Sequence, residues 1–170
     1  MKKTKIKSLT LTAIFTAVIA VSAWISVFTP FGINLTLQTF AVCLAGFCLG
    51  AKWGTAAVAA YIAVGAAGLP VFSQFSGGFG VLFGVSGGFL WGFLVTAALC
   101  GVSKLTKTRT LKYIIVILSV LVCHAAGVVQ FCVVSGNNIW TSFLSASLPF
   151  LAKDMILAFL ANVIAKKIKI

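Results

Sequence analysis

Apolar stretches long enough to cross a bilayer fill most of this chain, and nearly every charge falls between them. That pattern constrains the fold before any motif does. Hydrophobic residues make up 61% of the 170 and charged residues 8%, against roughly 25% charged in a soluble domain. With a mean hydropathy of +1.18, the surface suits lipid better than water. The charges are also one-sided: thirteen Lys and Arg against a single acid, Asp154. So few acids exclude chemistry built on paired carboxylates. A net charge of +12 would ordinarily raise nucleic-acid binding. Here the basic residues sit at the ends of apolar runs instead of on one face, so nucleic acid is set aside as a partner.

Hydropathy predicts six helical spans, near 9–28, 39–50, 54–68, 87–103, 111–134 and 148–165, forming one all-α membrane domain over 1–170. The start, Lys2-Lys3-Thr4-Lys5-Ile6-Lys7 and then apolar residues, is similar to a signal peptide, with Ala20-Val21-Ser22-Ala23 similar to a cleavage site. The apolar run continues to Phe28, which favours an uncleaved first span. Spans two and three are short, so a single tilted helix over 39–68 competes with them. Charge decides between the two readings. With six spans, the basic segments at 2–7, Lys52, 104–112 and 166–169 share the cytoplasmic side with both termini. Those segments carry four, one, four and three cations. The loops at 29–38, 69–86 and 135–147 face outward without a charge. Five spans would put the segment Lys104–Lys112 outside, against the rule. Gly50, Lys52 and Gly54 mark a turn between two short helices.

Within that topology Lys153 and Asp154 lie near the outer end of the sixth span, where ionisable groups are costly and mark function. A local ion pair or interfacial anchoring is the simpler account, yet it leaves the only acid unexplained. The second outer loop, Leu69 to Gly84, holds four Phe and four Gly in sixteen residues. It is too apolar to be freely solvated and is expected to fold back over the bundle. Aromatic walls with a few amides suit a small, partly apolar ligand, although aromatic belts also mark membrane interfaces. Gly80, Gly84, Gly88 and Gly92 recur every fourth residue, a helix-packing spacing, and no Gly-Lys-Ser/Thr follows to make a phosphate loop. Ala13, Thr16, Ala17 and Ala20 form a small-residue stripe on the first span, open to docking by another subunit or to packing inside the bundle. Spacing alone favours packing. His124, midway along the fifth span, reads as a histidine hydrogen-bonded between helices, with no acid in view to make a proton relay. The five cysteines contain no CxxC pair and read as small hydrophobes. With one His in the chain they argue against a metal site.

Several motifs together carry a resemblance. Leu69-Pro70-Val71-Phe72, then Gly84-Val85-Ser86-Gly87-Gly88-Phe89-Leu90, resembles the signature of the BioY family of biotin transporters. Asn34-Leu35-Thr36-Leu37-Gln38-Thr39 is similar to that family's first-loop motif, and Leu148-Pro149-Phe150-Leu151-Ala152-Lys153-Asp154 to its sixth-helix entry. The resemblance implies a substrate-binding S component of an energy-coupling factor (ECF) transporter in the cell membrane. Its partners would be a membrane scaffold subunit, the T component, and a pair of cytoplasmic ATPases; it would need no cofactor and be no enzyme. It also implies a biotin pocket. Asp154 would accept from the ureido N–H groups, and Lys153 would meet the carboxylate. Asn138, Gln38 or Gln74 would serve the carbonyl or the carboxylate, and Phe79 would pack on the rings. Docking of the scaffold would fall on the Ala13/Ala17 face. The chain departs from the family pattern in two places. Val85-Ser86-Gly87-Gly88-Phe89 stands where Pro-Thr-Gly-Gly-Tyr is usual. Leu157 stands where a Lys is usual, with Lys153 one turn away on the same face as a substitute.

Three other readings compete. An S component for another vitamin would differ in outer-loop chemistry. An intramembrane enzyme would need a nucleophile with its base or several metal ligands. A channel would need a continuous polar stripe.

Overall fold

The computed structural model describes residues 2–29 and 33–168; Pro30, Phe31 and Gly32 of the first loop and Lys169 of the basic tail lie outside them. Helix follows hydropathy closely. Helix α1 covers Lys2–Trp24, α2 Gln38–Ala66, α3 Phe79–Phe83, α4 Gly87–Ser103, α5 Arg109–Ser135, α6 Ile139–Ala146 and α7 Leu148–Ala165. Two short strands, β1 (Ser26–Val27) and β2 (Leu35–Thr36), pair antiparallel with Ser26 opposite Thr36. Four helices, α1, α2, α5 and α7, are long and apolar enough to cross a membrane, and α4 is a shorter apolar helix.

Helix α2 is not one rod. Gly50 has φ 79° and ψ 174°, a backbone region that is essentially open to glycine only. There the chain doubles back. Gln38 Nε2 donates to the Tyr61 hydroxyl at 2.6 Å, whereas a straight helix rising about 1.5 Å per residue would hold these residues some 34 Å apart. A Cβ on Gly54 would lie 2.8 Å from the Gly46 Cα, so the two arms touch just beyond the turn. The turn expected at Gly50–Gly54 is therefore present. Lys104 Nζ donates to the Cys48 carbonyl at 3.0 Å, satisfying an acceptor that the break leaves without its helical partner.

Close approach of backbones sets the packing, as expected where small residues line helix contacts. A Cβ on Gly46 would lie 2.5 Å from the Ala97 carbonyl, and one on Gly101 2.1 Å from the Ala51 nitrogen, which seats α4 against both arms of α2. Gly88 and Gly92 press in the same way on Ala126 and Cys123 of α5, while Gly80 has open space around it and Gly84 only ordinary contacts. Half of the glycine stripe is thus close packing and half is not. Cys43, Cys100 and Cys123 are buried in the apolar core. On α1, Thr16 Oγ1 donates to the Ala57 carbonyl at 3.0 Å and Ala20 is buried, but Ala13 and Ala17 are exposed.

Three boundaries differ from the sequence expectation. Helix α1 stops at Trp24 instead of Phe28, because β1 takes up the following residues. The segment 69–86 contains a 3-10 turn (Ser73–Phe75) and α3. The segment 135–147 holds α6: Gly136, left-handed at φ 70°, ends α5, and the Asn138 side chain caps the new helix by accepting from Thr141 N at 2.8 Å.

Candidate functional site

A cleft opens where the ends of α2, α4 and α7 meet the two loops, holding about 590 Å3 with its open mouth included. Its walls are aromatic: Phe72 comes from the second loop, Phe89 and Phe93 from α4, and Phe150 from α7. Phe72 is placed by a local constraint. A Cβ on Gly65 would fall 2.1 Å from the Phe72 ring, so glycine makes the seat for that ring. Tyr61 meets Phe72 edge-on at 5.4 Å. Gln130, the sole amide of α5, donates to the carbonyls of Leu82 and Gly84, each at 2.8 Å. That double bond ties the end of α3 to the bundle and fixes the loop that brings Val81 and Ser86 to the rim.

The polar content converges on α7. Asp154, 7% exposed, is 2.7 Å from Lys153 Nζ through Oδ1 and 3.2 Å from His124 Nε2 through Oδ2. Lys153 Nζ also donates to the Thr36 carbonyl at 2.7 Å, so the ladder of the first loop is strapped to α7. Oδ1 is buried and pairs with the Lys153 ammonium at 2.7 Å, with no neutral donor bonded to it. A carboxylate oxygen accepts at two lone pairs, so Oδ1 keeps room for a further donor beside the ammonium.

Of the residues named from sequence, the structure gathers Gln38, Lys153 and Asp154 on the cleft and leaves three outside its lining. Asn138 is exposed and occupied as the cap of α6. Gln74 is exposed at φ 58° and reaches only the Asn34 side chain, at 3.4 Å. Phe79 is 64% exposed on α3 and stacks toward Phe83. Leu157, too, does not line the cleft, whereas Lys153 does. Sequence reasoning expected aromatic walls but named only Phe79 for them, and it gave Asn34, Thr39, Phe72, Phe93 and Phe150 no lining role. Phe89 stood inside a quoted motif without a role, and Gln130 carried the signal of a lone amide in an apolar span. The expectation for His124 needs one correction. It is hydrogen-bonded between helices, but an acid is within reach: Asp154, thirty positions away along the chain, is its partner.

Comparison with known proteins agrees with this architecture. The BioY family matches residues 1–170. The biotin transporter BioY of Thermotoga maritima is 39% identical over 160 residues, covering 92% of each chain. A probable biotin transporter BioY of Pyrococcus horikoshii is 34% identical over 166 residues, covering 97% of this chain and 98% of that one. Among solved structures, the S-component for biotin from an ECF-type ABC transporter superposes with a TM-score of 0.87 at 31% identity, over 98% of this chain and 93% of that one. A match over the full length, with the cleft built from the motifs that first suggested it, leads to one conclusion: the chain belongs to the BioY family.

Proposed function

We propose that this chain is the biotin-capturing S component of an ECF-type transporter in the cell membrane, binding the vitamin in the cleft at the loop-bearing end. One observation carries the reading: Asp154 lines an aromatic cleft with a buried Oδ1 that Lys153 faces on one side and no neutral donor fills on the other. Biotin supplies two ureido N–H groups to such an acceptor. Its apolar thioether ring suits walls of Phe72, Phe89 and Phe93, and its carboxylate suits Lys153, which has a third N–H to offer beyond Asp154 and Thr36. Gln38 and Asn34 are the amides nearest to serve the remaining polar groups. Membership of the family and likeness to a biotin S-component support the same ligand.

In this reading the two arms of α2 each count as a span. Together with α1, α4, α5 and α7 they make six in a single unit over 1–170, with both termini and Lys104–Lys112 cytoplasmic and the cleft facing out. The chain binds its substrate and leaves chemistry to its partners, a T component and two cytoplasmic ATPases. Exposure of Ala13 and Ala17 favours a docking face at those two positions, while Thr16 and Ala20 of the same stripe pack inward. Titration of the detergent-purified protein with biotin tests the function. We expect saturable binding that Asp154→Asn weakens by about tenfold or more, the worth of one hydrogen bond to a charged group. Unchanged affinity in the folded variant removes Asp154 from the site.

A further inference from the structure

Resting on the biotin reading, we infer that His124 is a positioning residue for ligand capture: it holds Oδ2 of Asp154 so that Oδ1 is left for the ligand's N–H groups. The arrangement runs through three buried side chains. Ser147, His124 and Asp154 are 1%, 4% and 7% exposed. Ser147 Oγ meets His124 Nδ1 at 2.9 Å, and His124 Nε2 meets Asp154 Oδ2 at 3.2 Å. A carboxylate has no hydrogen to give, so Nε2 carries the one between them. The second ring nitrogen is then fixed by the hydroxyl, which sets the ring's orientation as well as its contact.

Ser147 shows that this is more than a histidine filling space. It occupies the N-cap of α7, where a serine would ordinarily accept from a backbone N–H two or three residues on. Its side chain makes no such bond. The residue two positions along is Pro149, which has no N–H to offer. The hydroxyl is thereby spent on His124 instead of on the helix end. The imidazole also meets Phe89 edge-on at 5.6 Å, a ring that lines the cleft. Hence one side chain of α5 sets both a polar and an aromatic wall of the pocket without lining it. The charged side chain facing the carboxylate from its own helix is Lys153, at 2.7 Å from Oδ1.

A double-mutant cycle on the purified full-length chain tests the inference. His124→Gln can still present an N–H to Oδ2 and an acceptor to Ser147, whereas His124→Leu can do neither. We expect His124→Leu to weaken biotin binding about ten- to a hundredfold and His124→Gln to stay within about threefold of the starting protein. Ligand-free melting serves as the control for folding. In the Asp154→Asn background the His124→Leu loss should shrink to about threefold or less. An equal loss in both backgrounds overturns the inference, because His124 would then act on the fold and not through Asp154. Equal affinity of the Gln and Leu variants overturns it as well, and decides the matter alone if Asp154→Asn binds too weakly to titrate. Failure of the starting protein to bind biotin is a separate outcome: it sinks the functional reading itself, and the inference with it.

Discussion

Lys153 holds the tightest set of polar contacts in the cleft, with the Thr36 carbonyl and Asp154 Oδ1 both at 2.7 Å. Two roles follow for one ammonium. It neutralises Asp154 where water is scarce, and it offers a positive charge to a ligand carboxylate. Comparing biotin with its methyl ester separates them. If Lys153→Met weakens biotin binding about tenfold while sparing the ester, the charge pairs with the ligand carboxylate. If both ligands lose equally, Lys153 acts through Asp154 and the first loop. The importance of the Lys153-Asp154 pair was legible in the sequence because it puts the only acid inside an apolar span. The partnership with His124 was not. Thirty residues separate the two, and hydropathy assigns each to a helix without saying which faces meet. Asn138 shows the opposite difficulty. An amide in an outer segment suits a ligand and a helix cap equally well, and only the start of α6 at the next residue, Ile139, reveals the cap.

At the scale of the element, the fold depends on glycines for two distinct reasons. Gly50 needs its backbone conformation, since a Cβ there would meet nothing within 4 Å. Gly65 needs its space, since a Cβ would enter the Phe72 ring. The variants should differ accordingly. Gly50→Ala is expected to lower stability by about 1–3 kcal/mol through backbone strain, seen as a drop in ligand-free melting with biotin affinity kept. Gly65→Ala should displace Phe72 and weaken binding more than it lowers melting. The reverse pattern would contradict the seat assigned to that ring. Tyr61→Phe adds a check on the hairpin. It leaves Gln38 Nε2 buried without its acceptor, at a cost of about 1–3 kcal/mol, only because the two arms lie side by side. Hydropathy located the ends of α4 and α7 to the residue, as lipid-facing helices have long unbroken apolar runs. It did not find α6, since Gly136-Asn137-Asn138 punctuates the segment like a loop and the helix that follows is too short to show a period.

For the whole molecule, the charge pattern and the exposed face of α1 bear on assembly. A bulky residue on that face should spare the cleft, which α1 does not line. Ala17→Trp is expected to leave biotin binding of the purified protein within about twofold and to abolish uptake of labelled biotin by cells supplying the T component and ATPases. Loss of folding instead would place Ala17 in the interior packing. The six-span orientation predicts that a single cysteine introduced at Thr106, in a background free of other cysteines, is labelled by a membrane-impermeant thiol reagent only after the cells are opened. The most direct test of the central claim is the melting temperature of the purified protein in detergent, measured with and without biotin, and alongside thiamine and riboflavin. A ligand that binds only the folded state stabilises it by about 2.7 kcal/mol at a hundredfold excess over its Kd. The account predicts a rise with biotin alone. A rise with thiamine or riboflavin and none with biotin would keep the membrane fold and contradict the assignment of the cleft.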